Sequence, residues 1–161
     1  MTSSTREPRY RVRLATAADA SELAAFERDA FRSYYARHRF SEDQFKRYLT
    51  RPRTIAYVVT IRGRIIGYVL GILVRTPPVA RLLSLAVGSS YRRRGIGHVL
   101  LARFIAATRR KGAHAAYLET AIRNTAALTL FRHQGFAPIR RLPDYYAPGV
   151  DGIRMRRAVL R

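Results

Sequence analysis

Glu119 is the most isolated carboxylate in the chain, because from residue 44 to residue 118 there is no Asp or Glu at all. An acid so placed can serve as a general base, taking a proton from a reacting group directly or through water. It can equally be held by one of the many arginines. Upstream, the stretch SSYRRRGIGHVLL, residues 89–101, sets Arg92, Arg93 and Arg94 against Gly95 and Gly97 and then turns apolar. A glycine turn opening a helix offers unpaired N–H groups and the positive end of the helix dipole, which together suit a phosphate. The two glycines let the backbone approach an anion with no Cβ in the way. A plain turn with solvated arginines is the alternative. The spacing matches neither the P-loop nor the dinucleotide fingerprint, whose third glycine and downstream acid are missing.

Other chemistries find little support. The chain has no Cys, so disulfides, thiolate metal sites and a cysteine nucleophile are excluded. His38, His98, His114 and His133 show no metal-ligand spacing, and no metal is expected. The segment VGSSY lacks the surroundings of a serine nucleophile. The formal net charge of +21 points to a polyanionic partner such as RNA. However, Lys46 and Lys111 are the only lysines and Ala is abundant, and a GC-rich coding bias would produce both. Either origin fits the composition.

The elements that must position these residues follow from periodicity. YRVRLA alternates as a strand, and a helix follows with Thr16 as its cap and Leu23, Phe26 and Ala30 at helical spacing. Ser41 with Gln44 forms a capping-box pattern for a second helix. TIAYVVTIRGRIIGYVLGILV reads as a hairpin about Gly63, RTPPVA as a turn, and ARLLSLAV as the next strand. From Gly95 to Gly112 the 3.6-residue period marks a helix with Ile96, Leu100, Phe104 and Ile105 inward. AAYLET is a strand, and NTAALTLFRHQG a helix from Asn124 to Gly135. FAPIRRL and GIRMRRAVL are strands around the loop PDYYAPGV. The order β, α, α, β, β, β, α, β, α, β, β predicts an α/β domain with a mixed central sheet of about seven strands flanked by about four helices. Residues 1–8 read as a mobile tail and 9–161 as a single domain. IIGYVLGILV is too short to span a bilayer as a helix, so no membrane association is expected, and a cytoplasmic location fits.

Three segments together carry a resemblance. LLSLAVGSSYRRRGIGHVLL is similar to the acetyl-CoA pyrophosphate loop of the GNAT superfamily of N-acetyltransferases, with Arg92, Gly95 and Gly97 in the patterned places. YLETAIRNTAALTLFRHQGF resembles the same family's next segment, in which a strand ending Leu-Glu precedes Asn, a helix and Gly-Phe. LPDYYAPGVDGIRM resembles the paired-tyrosine loop of the branch that acetylates protein N-termini, including the ribosomal-protein-alanine acetyltransferases. The match is close over roughly residues 80–157. Two positions depart from the pattern: Ser89 stands where proline is usual, and Phe131 where that branch usually has tyrosine.

The resemblance implies transfer of an acetyl group from acetyl-CoA to an amine, without a metal. It places the pyrophosphate on the N–H groups of Arg93, Arg94, Gly95, Ile96, Gly97 and His98. The pantetheine arm would pair with the backbone of Leu85, Ala86 and Val87, with Asn124 holding it and an N–H near Val87 facing the oxyanion. Glu119 matches the family's glutamate and becomes the candidate base. Phe131 cannot protonate the leaving thiolate, so Tyr145 or Tyr146 either replaces the missing acid or packs against the substrate. A protein α-amine with a pKa of about 8 costs only ~1 kcal/mol to deprotonate at pH 7, against ~4.6 kcal/mol for a lysine near about 10.4. A protein N-terminus, with a ribosomal protein as the most specific case, is the expected acceptor. The alternatives are a small amine, polyamine or protein lysine, or a non-catalytic RNA- or ribosome-binding module on the same scaffold. A basic enzyme would repel a cationic substrate unless Glu27, Asp29, Glu42, Asp43, Asp144 or Asp151 lines the acceptor groove.

Overall fold

A computed structural model describes residues 9–31 and 38–159; the expected tail, residues 1–8, lies outside the described residues. The elements are β1 (Arg11–Leu14), α1 (Ala20–Ala30), α2 (Glu42–Leu49), β2 (Thr54–Ile61), β3 (Arg64–Arg75), β4 (Pro78–Val87), α3 (Ile96–Arg110), β5 (Ala115–Ala121), α4 (Thr125–His133), β6 (Ala137–Ala147) and β7 (Val150–Ala158). This is the predicted order, element for element. The seven strands form one sheet in the order β1-β2-β3-β4-β5-β7-β6. Every junction is antiparallel except the one between β4 and β5, which is parallel and is crossed by α3.

The sheet has a core on each face, as the nearly continuous burial of β2 and β3 requires. Leu100, Leu101, Phe104 and Ile105 of α3 pack with Val59, Val69, Leu118 and Met155 on one face. Leu23 of α1 and Phe45 of α2 pack with Val58, Tyr68 and Leu70 on the other. Burying each of these large side chains contributes about 1.5–3 kcal/mol. The capping box expected at α2 is formed: Gln44 N–H donates to Ser41 Oγ at 3.2 Å, and Ser41 N–H to Gln44 Oε1 at 2.8 Å. No helix among the described residues is long and apolar enough to cross a membrane.

Three local expectations are corrected. The first helix starts at Ala20, after a 3-10 turn at Ala17–Asp19. Asp19 closes that turn by accepting from Thr16 N–H at 2.8 Å and from both terminal nitrogens of Arg13, each at 2.8 Å. The guanidinium hydrogen bonds hold the Asp19 carboxyl below the usual range. Second, the inward face of α1 consists of Ala20, Leu23, Ala24 and Glu27, with Phe26 and Ala30 only half-buried. Third, Tyr145 and Tyr146 belong to β6 rather than to a loop. The β6–β7 register shifts between Leu142 and Ala147, and Asp144 within that stretch is left-handed, φ +51°, so the strand bulges just before the tyrosines.

β3 crosses α3 at Gly71 with no room for a side chain. A Cβ there would overlap the Phe104 ring and lie 2.8 Å from the Arg81 carbonyl oxygen. The β3–β4 register shifts at this same point, between Leu70 and Gly71. Gly71→Ala is expected to lower unfolding stability by about 1–3 kcal/mol, seen as a lower denaturant midpoint at unchanged slope.

Candidate active site

β4 and β5 pair only over Val79↔Ala115, Ala80↔Ala116 and Arg81↔Tyr117. Beyond Arg81, β4 stays on β3 as far as Val87 while β5 follows β7 to Ala121, so the two strands part. The bond from Gly88 N–H to the Ile66 carbonyl, 2.8 Å, sets the antiparallel alternation. Leu85 and Val87 therefore direct their peptide groups away from β3 and into the gap. An extended, amide-bearing chain can take the place of the missing strand.

Two cavities open from this gap. The larger, about 700 Å³, lies toward α3 and α4; the smaller, about 190 Å³, lies toward α1. Phe31, Leu85, Asn124, Ala127 and Phe131 line both.

The arginine-glycine loop closes one end of the larger cavity. Gly95 is the residue before α3 and has φ +78°, while the first i to i−4 bond of the helix runs from Val99 N–H to the Gly95 carbonyl. The N–H groups of Ile96, Gly97 and His98 thus lack intrahelical partners, and all three residues line the cavity with Arg92, Arg93 and Gly95. Arg93 is also left-handed, φ +62°, a conformation costing a non-glycine residue about 1–2 kcal/mol. Leu85, Ala86 and Val87 line the opposite wall. Gly97 allows α3 to approach α4, since a Cβ there would lie 3.2 Å from Leu130. The arginines do not act as a set. Arg92 Nε donates to the Val87 carbonyl at 3.3 Å, and Arg94 sits over the Tyr91 ring, 5.7 Å from its centroid, outside the cavity wall.

Glu119, Tyr145 and Tyr146 line the smaller cavity together with Glu27, His38 and Ser84. The Glu119 side chain is only 5% exposed. Its Oε1 accepts from Arg154 at 3.1 and 3.0 Å and its Oε2 from Arg81 Nη2 at 3.4 Å. The His38 ring stacks on Tyr145 and meets Tyr146 edge-on, giving the cavity an aromatic wall. Phe131 is buried against Phe136 and offers no hydroxyl. Asn124 caps α4, its Oδ1 accepting from Ala127 N–H at 3.2 Å. His98 Nδ1 lies 3.1 Å from Gln134 Nε2.

The residue that sequence reasoning undervalued is Glu27. It is 2% exposed, accepts a hydrogen bond from Tyr68 OH, and lies 3.4 Å from Ser84 Oγ. Burial raises its pKa from 4.5 to about 7, against the opposing effect of the Tyr68, Phe40 and Ser84 hydrogen bonds and of Arg39. Its sequence signal was a carboxylate on the inward stripe, at i+3 from Ala24 and i+4 from Leu23. Of the other acids considered for the groove, Asp29, Glu42, Asp43, Asp144 and Asp151 do not line the cavity. Asp151 instead pairs with Arg141 at 2.6 Å.

The Acetyltransferase (GNAT) family profile matches residues 20–136, and the chain belongs to that family. It is an acetyltransferase, with the family's mixed seven-stranded sheet and four helices. It is 29% identical to the N-alpha-acetyltransferase of Sulfolobus acidocaldarius, over 94% of each chain. It is 32% identical to the [ribosomal protein bS18]-alanine N-acetyltransferase of Escherichia coli, over 70% of each. Among solved structures, the ribosomal-protein-S18-alanine N-acetyltransferase from Escherichia coli superposes with a TM-score of 0.83 at 22% identity, covering 95% of this chain and 96% of that one. Arabidopsis thaliana NAA60 in complex with acetyl-CoA does so with a TM-score of 0.82 at 18% identity, covering 94% and 99%.

Glu27 makes stability depend on pH. Between 4.5 and about 7 the folded chain binds a proton that the unfolded chain has released, so stability falls as pH rises through that window and levels off above it. The shift corresponds to about 3 kcal/mol. Chemical denaturation of wild type and Glu27→Gln should show the wild type losing about that much relative to the variant between pH 4.5 and 7.5.

Proposed function

We propose that this chain transfers the acetyl group of acetyl-CoA to the α-amine of a protein N-terminus, with a ribosomal protein as acceptor. The observation that carries this reading is the meeting of two unlike cavities where β4 and β5 part. The larger suits a long donor with a pyrophosphate at one end: N–H groups at the start of α3 for the phosphates, the Leu85 and Val87 peptide groups for the pantetheine amides, Asn124 beside the arm. The smaller is ringed by aromatic side chains and holds two carboxylates, which suits an ammonium group and the first side chain behind it. The names of the Sulfolobus acidocaldarius and Escherichia coli relatives support the same acceptor class.

The chemistry asked of the site is modest. Two groups can receive a proton at the acceptor, Glu119 and Glu27. The Val87 N–H faces the gap, where the thioester oxygen would gain charge during attack. With Phe131 at the thiol, the thiolate departs unassisted or takes its proton from Tyr145 or Tyr146. A thiol pKa near about 8.5 makes the unassisted route workable. The net charge of +21, with Arg140, Arg141 and Arg156 exposed on β6 and β7, supports attraction to ribosomal RNA as the means of meeting the acceptor.

Matched peptides with free and with blocked N-termini, each carrying one lysine, separate the acceptor classes. Mass spectrometry after incubation with acetyl-CoA is expected to find one acetyl group on the free N-terminus and none on the blocked peptide. Product confined to lysine would assign the enzyme to another acceptor. Acetylation of neither peptide, with turnover on a polyamine, would do the same.

A further inference from the structure

The smaller cavity holds two carboxylates in opposite circumstances. Both oxygens of Glu119 face guanidinium nitrogens, and its Arg154 contacts are in hydrogen-bond geometry at 3.0 and 3.1 Å. Glu27 has no guanidinium in hydrogen-bond contact among the described residues. Its partners are two hydroxyls and the Phe40 backbone: Tyr68 OH donates to Oε2, Ser84 Oγ lies 3.4 Å from Oε1 and 2.7 Å from Tyr68 OH, and the Phe40 N–H also donates to the carboxylate. Ser84 and Glu27 both line the cavity, on its α1 side. We propose that Glu27, bridged to the bound amine by the Ser84 hydroxyl, takes the proton that the acceptor ammonium must lose, while Glu119 is kept by Arg81 and Arg154 as a fixed negative charge. The inference rests on the reading of the site as an N-acetyltransferase acting on an α-amine.

The proton balance is simple. One proton passes from the ammonium to the Glu27 carboxylate by exchange through Ser84 Oγ, and leaves a neutral amine. The amine nitrogen forms a bond to the thioester carbonyl carbon as the carbon–sulfur bond breaks. The second proton of the attacking nitrogen ends on the departing thiolate, giving the thiol of coenzyme A, and Glu27 returns its own proton to solvent. Matching of acidities supports the assignment. Transfer from an amine of pKa about 8 to a carboxyl of ordinary pKa, about 4.3, is unfavourable by about 5,000-fold, and to one near 7 by only about tenfold. The charged or titratable groups around Glu27 are Tyr68 from β3, Arg39 ahead of α2, and, across the cavity, His38, Arg81, Glu119, Tyr145 and Tyr146.

The test is the pH dependence of kcat, which reports groups in the loaded complex, for an N-terminal peptide at saturating acetyl-CoA. Wild type should lose rate below pH about 7. In Glu27→Gln, kcat at pH 7 should drop by about 100-fold with the acetyl-CoA KM within twofold. Its rate should recover as pH passes the amine's own pKa, about 8. Glu119→Gln and His38→Asn should keep the wild-type limb, whatever their absolute rates. A limb that survives in Glu27→Gln, or vanishes in Glu119→Gln or His38→Asn instead, overturns the proposal. If Glu27→Gln does not fold, wild type and Ser84→Ala decide. A flat wild-type kcat from pH 5.5 to 8, or an unchanged kcat in Ser84→Ala, overturns it, and an acid limb in wild type with at least a tenfold loss in Ser84→Ala supports it. Absence of any N-terminal acetylation by wild type would instead defeat the functional reading itself.

Discussion

The parting of β4 and β5 after three paired residues is the constraint on which the rest of the molecule depends. A parallel pair that stayed zipped would satisfy the Leu85 and Val87 peptide groups inside the sheet and leave neither cavity. Opening it removes those partners: the Val87 carbonyl accepts instead from Arg92 Nε at 3.3 Å, and the N–H groups of Leu85 and Val87 are left facing the gap. The gap is therefore a place where an amide-bearing ligand can supply hydrogen bonds the fold itself forgoes. What keeps it open is the rest of the architecture: β4 remains zipped to β3, β5 is zipped to β7, and α3 and α4 approach each other across the gap at Gly97 and Leu130.

The second constraint is charge. In a chain of 31 basic and 10 acidic residues, Asp19 pairs with Arg13, Asp151 with Arg141, and the buried Glu119 with both Arg81 and Arg154. Glu27, on the inward face of α1, is hydrogen-bonded instead by the Tyr68 and Ser84 hydroxyls and the Phe40 backbone. The two acids line one cavity, and their environments divide them into a paired charge and a carboxyl near neutrality. Division of labour between nearby carboxylates set by environment is a recurrent way of obtaining a base at neutral pH.

Much of this was legible in the sequence, for physical reasons that also explain the rest. Element order follows from local periodicity, and the loop from Gly95, Gly97 and the apolar run after them; all keep the register the residues dictate. The β4–β5 separation depends on pairing between segments more than thirty residues apart, and no local pattern records it. Tyr145 and Tyr146 read as loop because Pro143 and Gly149 flank them, whereas the structure carries β6 through the proline with a register shift. Phe26 outweighed Glu27 as a core residue because an apolar side chain is the ordinary occupant of an inward stripe. A carboxylate on that stripe was the departure from the pattern, and its hydroxyl partners from β3 and β4 became visible only in the fold.

Hydrogen exchange of backbone amides, with and without acetyl-CoA, tests the central claim most directly, because the donor is held to bind open backbone positions. The account predicts slowed exchange at Leu85 and Val87 and at Ile96, Gly97 and His98. Unchanged exchange at these amides, or slowing confined to the exposed arginine strands β6 and β7, would contradict it.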